Sequence, residues 1–281
     1  MLAYMRMSFV IVSGRDAMQI NQCLKCGRLG VPYQGSKNAI ARDIISILPS
    51  GNRFVDLFAG GCAMTHAAIL SGKYKTFLAN DIQGFGVRLF IDAIKGKCNG
   101  KWREWVTREE FNAKKNIDPL ISLCWSFSNN GRNYLYAREK ERVKFEEHQR
   151  RIRGEKNTHP KGKILLEHIA RLQALERLEH FDTSYDAVEL KNNDVVYCDP
   201  PYKNTQKYNS GSFDSDAFWS WCDKQTIPIF VSEYSAPDGF RAIWTKGKQR
   251  LMNQKGSDGY VAEYVFVQER YAKEFQIDLF L

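Results

Sequence analysis

Residues Phe54-Val55-Asp56-Leu57-Phe58-Ala59-Gly60-Gly61 run from an apolar stretch straight into a glycine bend, and Met64 to Leu70 then has helix-forming composition that stops before Gly72. A short continuous apolar run bounded by a turn reads as a buried strand, and the segment from Met64 reads as its helix. Tyr74 to Ala79 supplies a second strand, ending in Asn80-Asp81. This order restricts the chain to the α/β class. A strand, a glycine bend and a helix bring backbone N–H groups to a helix N-terminus, where a nucleotide-like ligand can be approached closely. An acid about 20 positions beyond the bend is placed to bind ribose hydroxyls. Upstream, Tyr33-Gln34-Gly35-Ser36-Lys37 leads into a helical stretch ending near Pro49. Gly84-x-Gly86 lacks a third glycine and reads as a turn.

A second signal lies far downstream. Asp199-Pro200-Pro201-Tyr202 follows the apolar run Val195-Val196-Tyr197-Cys198. A strand that delivers a carboxylate onto a stiff Pro-Pro loop, with an aromatic ring next, suits a flat amino-bearing group. The amine of adenine is a poor nucleophile because its lone pair is delocalised into the ring. Two acceptors on its N–H groups would localise that pair and orient it. Asp199 can supply one acceptor. Pro200 keeps its carbonyl, with φ fixed near about −65°, and can supply the other. Tyr202 can stack on the base, a contact worth roughly 1–3 kcal/mol in single-strand systems. The plain alternative is a Pro-Pro turn closing a strand with an acid on its rim.

The order of these motifs resembles the Dam-type (alpha-group) DNA N6-adenine methyltransferases, in which the cofactor motifs come first, the target-recognition region follows and Asp-Pro-Pro-Tyr comes later. The resemblance is carried by Tyr33 to Lys37, Phe54 to Gly61, Leu78 to Asp81 and Val195 to Tyr202. It implies a Rossmann-like, S-adenosylmethionine-dependent core with an inserted, mostly helical target-recognition domain. It places Tyr33 and Lys37 near the methionine end of the cofactor, Asp56 and the Phe58-Ala59-Gly60 backbone under it, and Asp81 on the ribose. Tyr185 matches the aromatic that packs on the cofactor's adenine. Asp199, Pro200, Pro201 and Tyr202 match the catalytic loop. Two positions depart from the pattern: Cys62 stands where the last loop glycine is usual, and Ser184 where an acid usually precedes the pocket aromatic, with Asp186 as its possible replacement.

Composition agrees with a polyanionic partner. The 281 residues carry a net charge of +9 and a pI near 9.1. Residues 132–163 hold 11 Lys and Arg against 5 Glu, Lys144 among them, so two thirds of the excess lies between the two motif groups. Such a run favours duplex DNA as partner, although a solvated helix face has the same look. Seven scattered cysteines fit free thiols in a reducing compartment, with the cytoplasm as the expected location. Cys23-x-x-Cys26 has half the spacing of a zinc knuckle, but no second pair completes four ligands, so no metal site is expected. No stretch approaches about 18 apolar residues, so no membrane span is expected.

These readings divide the chain into an N-terminal arm (1–30), a cofactor half (31–99), a target-recognition insertion (100–182) and a catalytic half (183–281). Within the insertion, Thr107-x-x-Glu110 resembles a capping box. Ser126 to Tyr134 offers Asn129, Asn130, Arg132, Asn133 and Tyr134, groups able to read base edges, or equally an ordinary Asn-Asn-Gly turn flanked by core aromatics. Arg138 to Arg153 reads as a charged helix. Leu165, Ile169, Leu172, Leu175 and Leu178 recur at helical steps as a core-facing stripe. Tyr260 to Gln268 alternates as a terminal strand. The expected activity is adenine-N6 methylation of DNA. Methylation of an RNA or protein-glutamine amine, or DNA binding without catalysis, stays open, as do a restriction endonuclease partner and the choice between monomer and weak dimer.

Overall fold

The computed structural model describes residues 28–155, 166, 169, 172, 174–201, 213–249 and 260–275. The expectations for Tyr202, Cys23 and Cys26, and for most of the N-terminal arm, lie outside these residues.

Among the described residues, seven strands form one sheet: β1 (Gly51–Asp56), β2 (Tyr74–Asn80), β3 (Leu178–Phe181), β4 (Asp194–Cys198), β5 (Ile229–Glu233), β6 (Phe240–Gln249) and β7 (Tyr260–Gln268). Their spatial order is β3-β2-β1-β4-β5-β7-β6. The five on the β3 side run parallel, while β7 lies antiparallel to β5 and pairs with β6 as a hairpin. The chain moves outward from β1 to β2 and β3, then returns to β4 beside β1. That reversal opens a crevice at the C-terminal ends of β1 and β4, where ligands of open α/β sheets collect.

The central strands do not alternate between buried and exposed residues, because helices cover both faces. In β4 and β5 every residue is buried. Phe54, Phe77, Tyr197 and Phe230 enter one core, and their neighbours Val55, Leu78, Val196 and Val231 enter the other. Fully burying each such side chain contributes roughly 1.5–3 kcal/mol. A one-residue slip would send every one of them to the opposite face, which fixes the register. Arg53 locks the same register from the other end of the sheet, donating to both carboxylate oxygens of Asp194 at 2.9 and 2.6 Å.

Helices follow from local signals. After a 3-10 turn at Lys37–Ala39 come α1 (Ala41–Ile47), α2 (Ala63–Ser71) and α3 (Phe85–Ile94). The segment before β3 carries α4 (Arg108–Lys114), α5 (Pro119–Cys124) and α6 (Glu141–Ile152). Thr107 caps α4 by accepting from the Glu110 amide, and Asp118 caps α5, which has its proline in the first turn. Trp105 stacks on Tyr136 at 5.6 Å and meets Trp125, Phe145 and His148, giving these elements an aromatic core. The last helices are α7 (Ser215–Lys224), capped by Asp214, and α8 (Glu269–Phe275).

Two sequence expectations need correction. Leu178 opens β3 and Leu175 sits in a 3-10 turn, 41% exposed, so the leucine stripe is not one continuous helix. Of the stripe, Ile169 is buried and helical as expected, and Leu165 lies outside the described residues. The 100–182 segment also contributes to the sheet, since β3 falls inside it and pairs with β2 as the sheet's edge.

Candidate active site

A cavity of about 270 Å³ opens at the crevice between β1 and β4. The register brings its parts together: Asp56 pairs with Tyr197 on one side and Ala79 on the other, so the strand ends carrying Asp56, Asp81 and Asp199 finish at one level. Tyr33, Lys37, Asp56, Phe58, Ala59, Gly60, Asp81 and Tyr185 all line this cavity, and so do Asp199 and Pro201. Pro200 is buried and is not among the lining residues.

The bend after β1 is pinned from several directions. The Ala59 amide donates to the Asn80 carbonyl at 2.8 Å, and the Gly60 amide donates to Asp81 Oδ2 at 3.0 Å. The other oxygen of Asp81 accepts from the Gln83 amide, so this acid first ties the bend to the end of β2. Gly60 has φ +48°, and a Cβ there would stand 2.9 Å from the Tyr33 ring. Cys62, in the position of the usual glycine, keeps the left-handed conformation (φ 58°) and is fully buried. Ser184 donates to Asp186, so these two side chains hold each other beside the pocket aromatic.

Asp56 is the buried anchor. Its Oδ2 accepts from the Thr65 amide and hydroxyl at 3.2 and 2.8 Å, while its Oδ1 is buried with no hydrogen-bond partner among the described residues. Burial, with Asp199 and Asp81 nearby, pushes its pKa up to about 7 against the pull of Thr65. Above it, Tyr185 stacks on Phe58 at 5.4 Å, with Phe213, Phe218 and Trp221 set edge-on around it.

On the far wall, Lys37 Nζ lies 2.7 Å from Asp199 Oδ1 and 2.9 Å from Glu263 Oε1. Burial would lower the lysine pKa, but the two carboxylates more than offset this and raise it. Glu233, at the end of β5, is pushed up to about 7, chiefly by burial. The Tyr197 hydroxyl, under Asp199, hydrogen-bonds Ser232 at 2.6 Å. Glu263 was not apparent in the sequence. The one available signal was an acid inside an otherwise buried strand, an arrangement that is costly unless the charge is paired.

The elements between α3 and β3 carry a second hollow, about 580 Å³, lined by Arg108, Lys115, Arg132, Asn133, Arg138 and Lys140 among others. Arg132 and Asn133 are exposed there, and Phe127 stands 63% exposed at its edge. Other residues of the same turn are occupied with holding it. Tyr134 is buried, its hydroxyl donating to the Val106 carbonyl at 2.7 Å, so it braces the turn from inside rather than presenting a ring to a base. Asn129 adopts φ 55° and donates to the Leu123 carbonyl, and Asn130 accepts from the Arg132 amide. Lys144, on α6, pairs with Glu147 at 3.0 Å and is not among the residues lining the hollow.

Comparison with known proteins gives concordant results. A family model described as D12 class N6 adenine-specific DNA methyltransferase matches residues 33–227. The chain is 26% identical over 228 residues to Type II methyltransferase M.FokI of Planomicrobium okeanokoites, covering 70% of this chain and 32% of that protein. It is 27% identical over 237 residues to Retron Ec67 DNA adenine methylase of Escherichia coli, covering 78% and 77% respectively. It is 25% identical over 198 residues to Modification methylase StsI of Streptococcus sanguinis, covering 64% and 29%. The matched regions thus amount to about a third of the first and last of these proteins and about three quarters of the retron protein.

Proposed function

The chain belongs to the D12 class N6 adenine-specific DNA methyltransferase family, and from that premise we propose that it methylates the exocyclic amine of an adenine in double-stranded DNA, with S-adenosylmethionine as methyl donor. What carries the reading is that Asp199 and the Asp56-to-Gly60 bend line one cavity. The lining suits the donor. Tyr185 and Phe58 offer an aromatic wall for a flat base, the glycine bend keeps side chains out of the way, and the unpartnered Asp56 Oδ1 suits a cationic, N–H-bearing group. When bound, S-adenosylmethionine supplies a methyl carbon made electrophilic by its sulfonium, the C–S bonding pair staying on sulfur as the carbon is transferred.

The remaining work falls to the chain's own residues. Asp199 accepts one N6–H and the Pro200 carbonyl the other, which concentrates the nitrogen lone pair and aims it. Tyr202 stacks on the extruded base. Once the nitrogen carries its new substituent it sheds one proton, and the Asp199 carboxylate stands to take it. Extruding the base costs a few kcal/mol, offset by stacking and by these hydrogen bonds. The elements between α3 and β3 serve as the target-recognition unit. Arg132, Asn133 and Phe127 form its contact face, and the basic rim takes the phosphates. Arg132→Ala should lower kcat/KM on the enzyme's own site roughly 10- to 100-fold, the equivalent of about 1–3 kcal/mol, without changing affinity for S-adenosylmethionine. An unchanged kcat/KM would take Arg132 out of the interface.

Asp56 provides a pH test. Its folded pKa, about 7, lies above the ordinary 3.8, so this group favours the folded state most below about pH 4 and that contribution is lost as the pH rises through 7. A cationic ligand favours the ionised form, so affinity for S-adenosylmethionine should rise with pH through 7 and binding near pH 7 should release protons. Calorimetry in buffers of different ionisation enthalpy measures that release. Binding without proton exchange in the wild type would separate Asp56 from the donor site. The function itself is tested by expressing the chain in a methylation-free host and sequencing single DNA molecules. N6-methyladenine in a fixed sequence context is the expected result. Modification confined to RNA, or none with DNA binding retained, would overturn the reading.

A further inference from the structure

We infer that Glu263 is a positioning residue for Asp199, acting through Lys37, and that it lends the catalytic carboxylate a second negative charge it would otherwise lack. The inference rests on the methyltransferase reading above. Glu263 lies on β7, beyond the family-matched segment 33–227, and reaches the site only because the antiparallel hairpin returns β7 beside β5. It is 1% exposed, and Lys37 is 6% exposed. Their ion pair, 2.9 Å long, and that between Lys37 and Asp199, 2.7 Å long, form one chain of three charges, buried at Lys37 and Glu263 and half-buried at Asp199, from three separate parts of the sequence.

The number of charges matters. A buried lysine paired with Asp199 alone would neutralise it, and a neutralised pair is a poor acceptor for an amine N–H and a poor neighbour for positive charge growing on nitrogen. With Glu263 drawing on the same ammonium, the three side chains sum to one negative charge. Asp199 then keeps its acceptor strength in a site where water screens little. Among the described residues, the charged and titratable groups facing Asp199 are Lys37 from the 3-10 turn, Asp56 from β1, Tyr197 and Cys198 from β4, Glu233 from β5 and Glu263 from β7. Among these acids, Glu263 and Asp199 contact the lysine directly.

Glu263→Gln separates charge from structure, because glutamine keeps the length and an oxygen that can accept from Lys37. The expected result is a kcat lowered roughly tenfold or more, with KM for S-adenosylmethionine and Kd for DNA within about twofold of wild type. A neighbouring anion raises a carboxylate's pKa, so deleting one should also move the acid limb of the kcat/KM profile down by about one pH unit. Glu263→Asp, which keeps the charge, should recover activity above Glu263→Gln. Glu263→Gln with wild-type kcat and an unmoved acid limb would overturn the inference. So would three variants, Gln, Asp and Ala, whose activities simply track their losses in Tm, since that pattern marks a structural tie. No methyl transfer by the wild-type chain would instead defeat the methyltransferase reading, and this inference with it.

Discussion

Asp199→Asn should reduce methyl transfer to DNA at least about 10³-fold while leaving affinity for S-adenosylmethionine within a few fold. Asparagine keeps the shape of the side chain but replaces one carboxylate oxygen with an NH₂ donor and removes the charge. The amine to be methylated then meets a donor or a weakened acceptor, and the proton it must lose has no carboxylate to receive it. The donor cradle is built elsewhere, from the bend at Asp56 to Gly60 and the aromatic wall at Tyr185, so binding should survive. Lys37 still has Glu263 as a partner, which limits damage to the fold. Transfer of tritiated methyl measures the first quantity and calorimetry the second. Full transfer by this variant would remove Asp199 from the mechanism, and loss of donor binding with an intact Tm would move it into the cofactor site.

The features legible in the sequence share one property: each is contiguous. Phe54 to Gly61, Tyr74 to Asp81 and Val195 to Pro201 each hold a strand together with the loop at its C-terminal end, so fold signal and site signal coincide in a few residues. Glu263 belongs to the same site but enters through sheet order, and nothing near it in sequence marks that order. The edge strand β3 was hidden because it has four residues with one buried, too few to show a period of two against a helical leucine spacing. Turn composition located the loop at Ser126 to Tyr134 but could not give side-chain direction. Asn129 and Tyr134 turn inward to hold the loop, and Arg132 and Asn133 are left outside. Cys62 shows the converse: the backbone kept the conformation that a glycine would have adopted freely, although the side chain changed.

Gly86 is where a motif that reads as a turn has its largest consequence. Gly84 does cap α3 with φ +66°, but Gly86 lies within the helix, against the bend after β1. A Cβ at Gly86 would stand 1.9 Å from the Gly60 carbonyl oxygen and 2.7 Å from its carbon, with the Gly61 Cα at 3.2 Å. Every one of these neighbours is backbone, so no side chain can rotate away. Either α3 must retreat, lifting Val87, Phe90 and Ile91 from the core, or the bend must withdraw and pull the Gly60 amide off Asp81. Gly86→Ala should therefore destabilise the fold by about 2–4 kcal/mol and raise KM for S-adenosylmethionine about 100-fold, since misplacement by about 1 Å has that scale of effect. Gly72→Ala is the control. It places alanine at positive φ (+69°) but in open space, so it should cost about 1 kcal/mol in left-handed strain and leave KM unchanged. If Gly86→Ala lost stability only to the extent of Gly72→Ala and kept its KM, α3 and the bend would not be rigidly joined. The cavity would then owe its shape to Asp81 and Tyr33 rather than to close packing of two glycines.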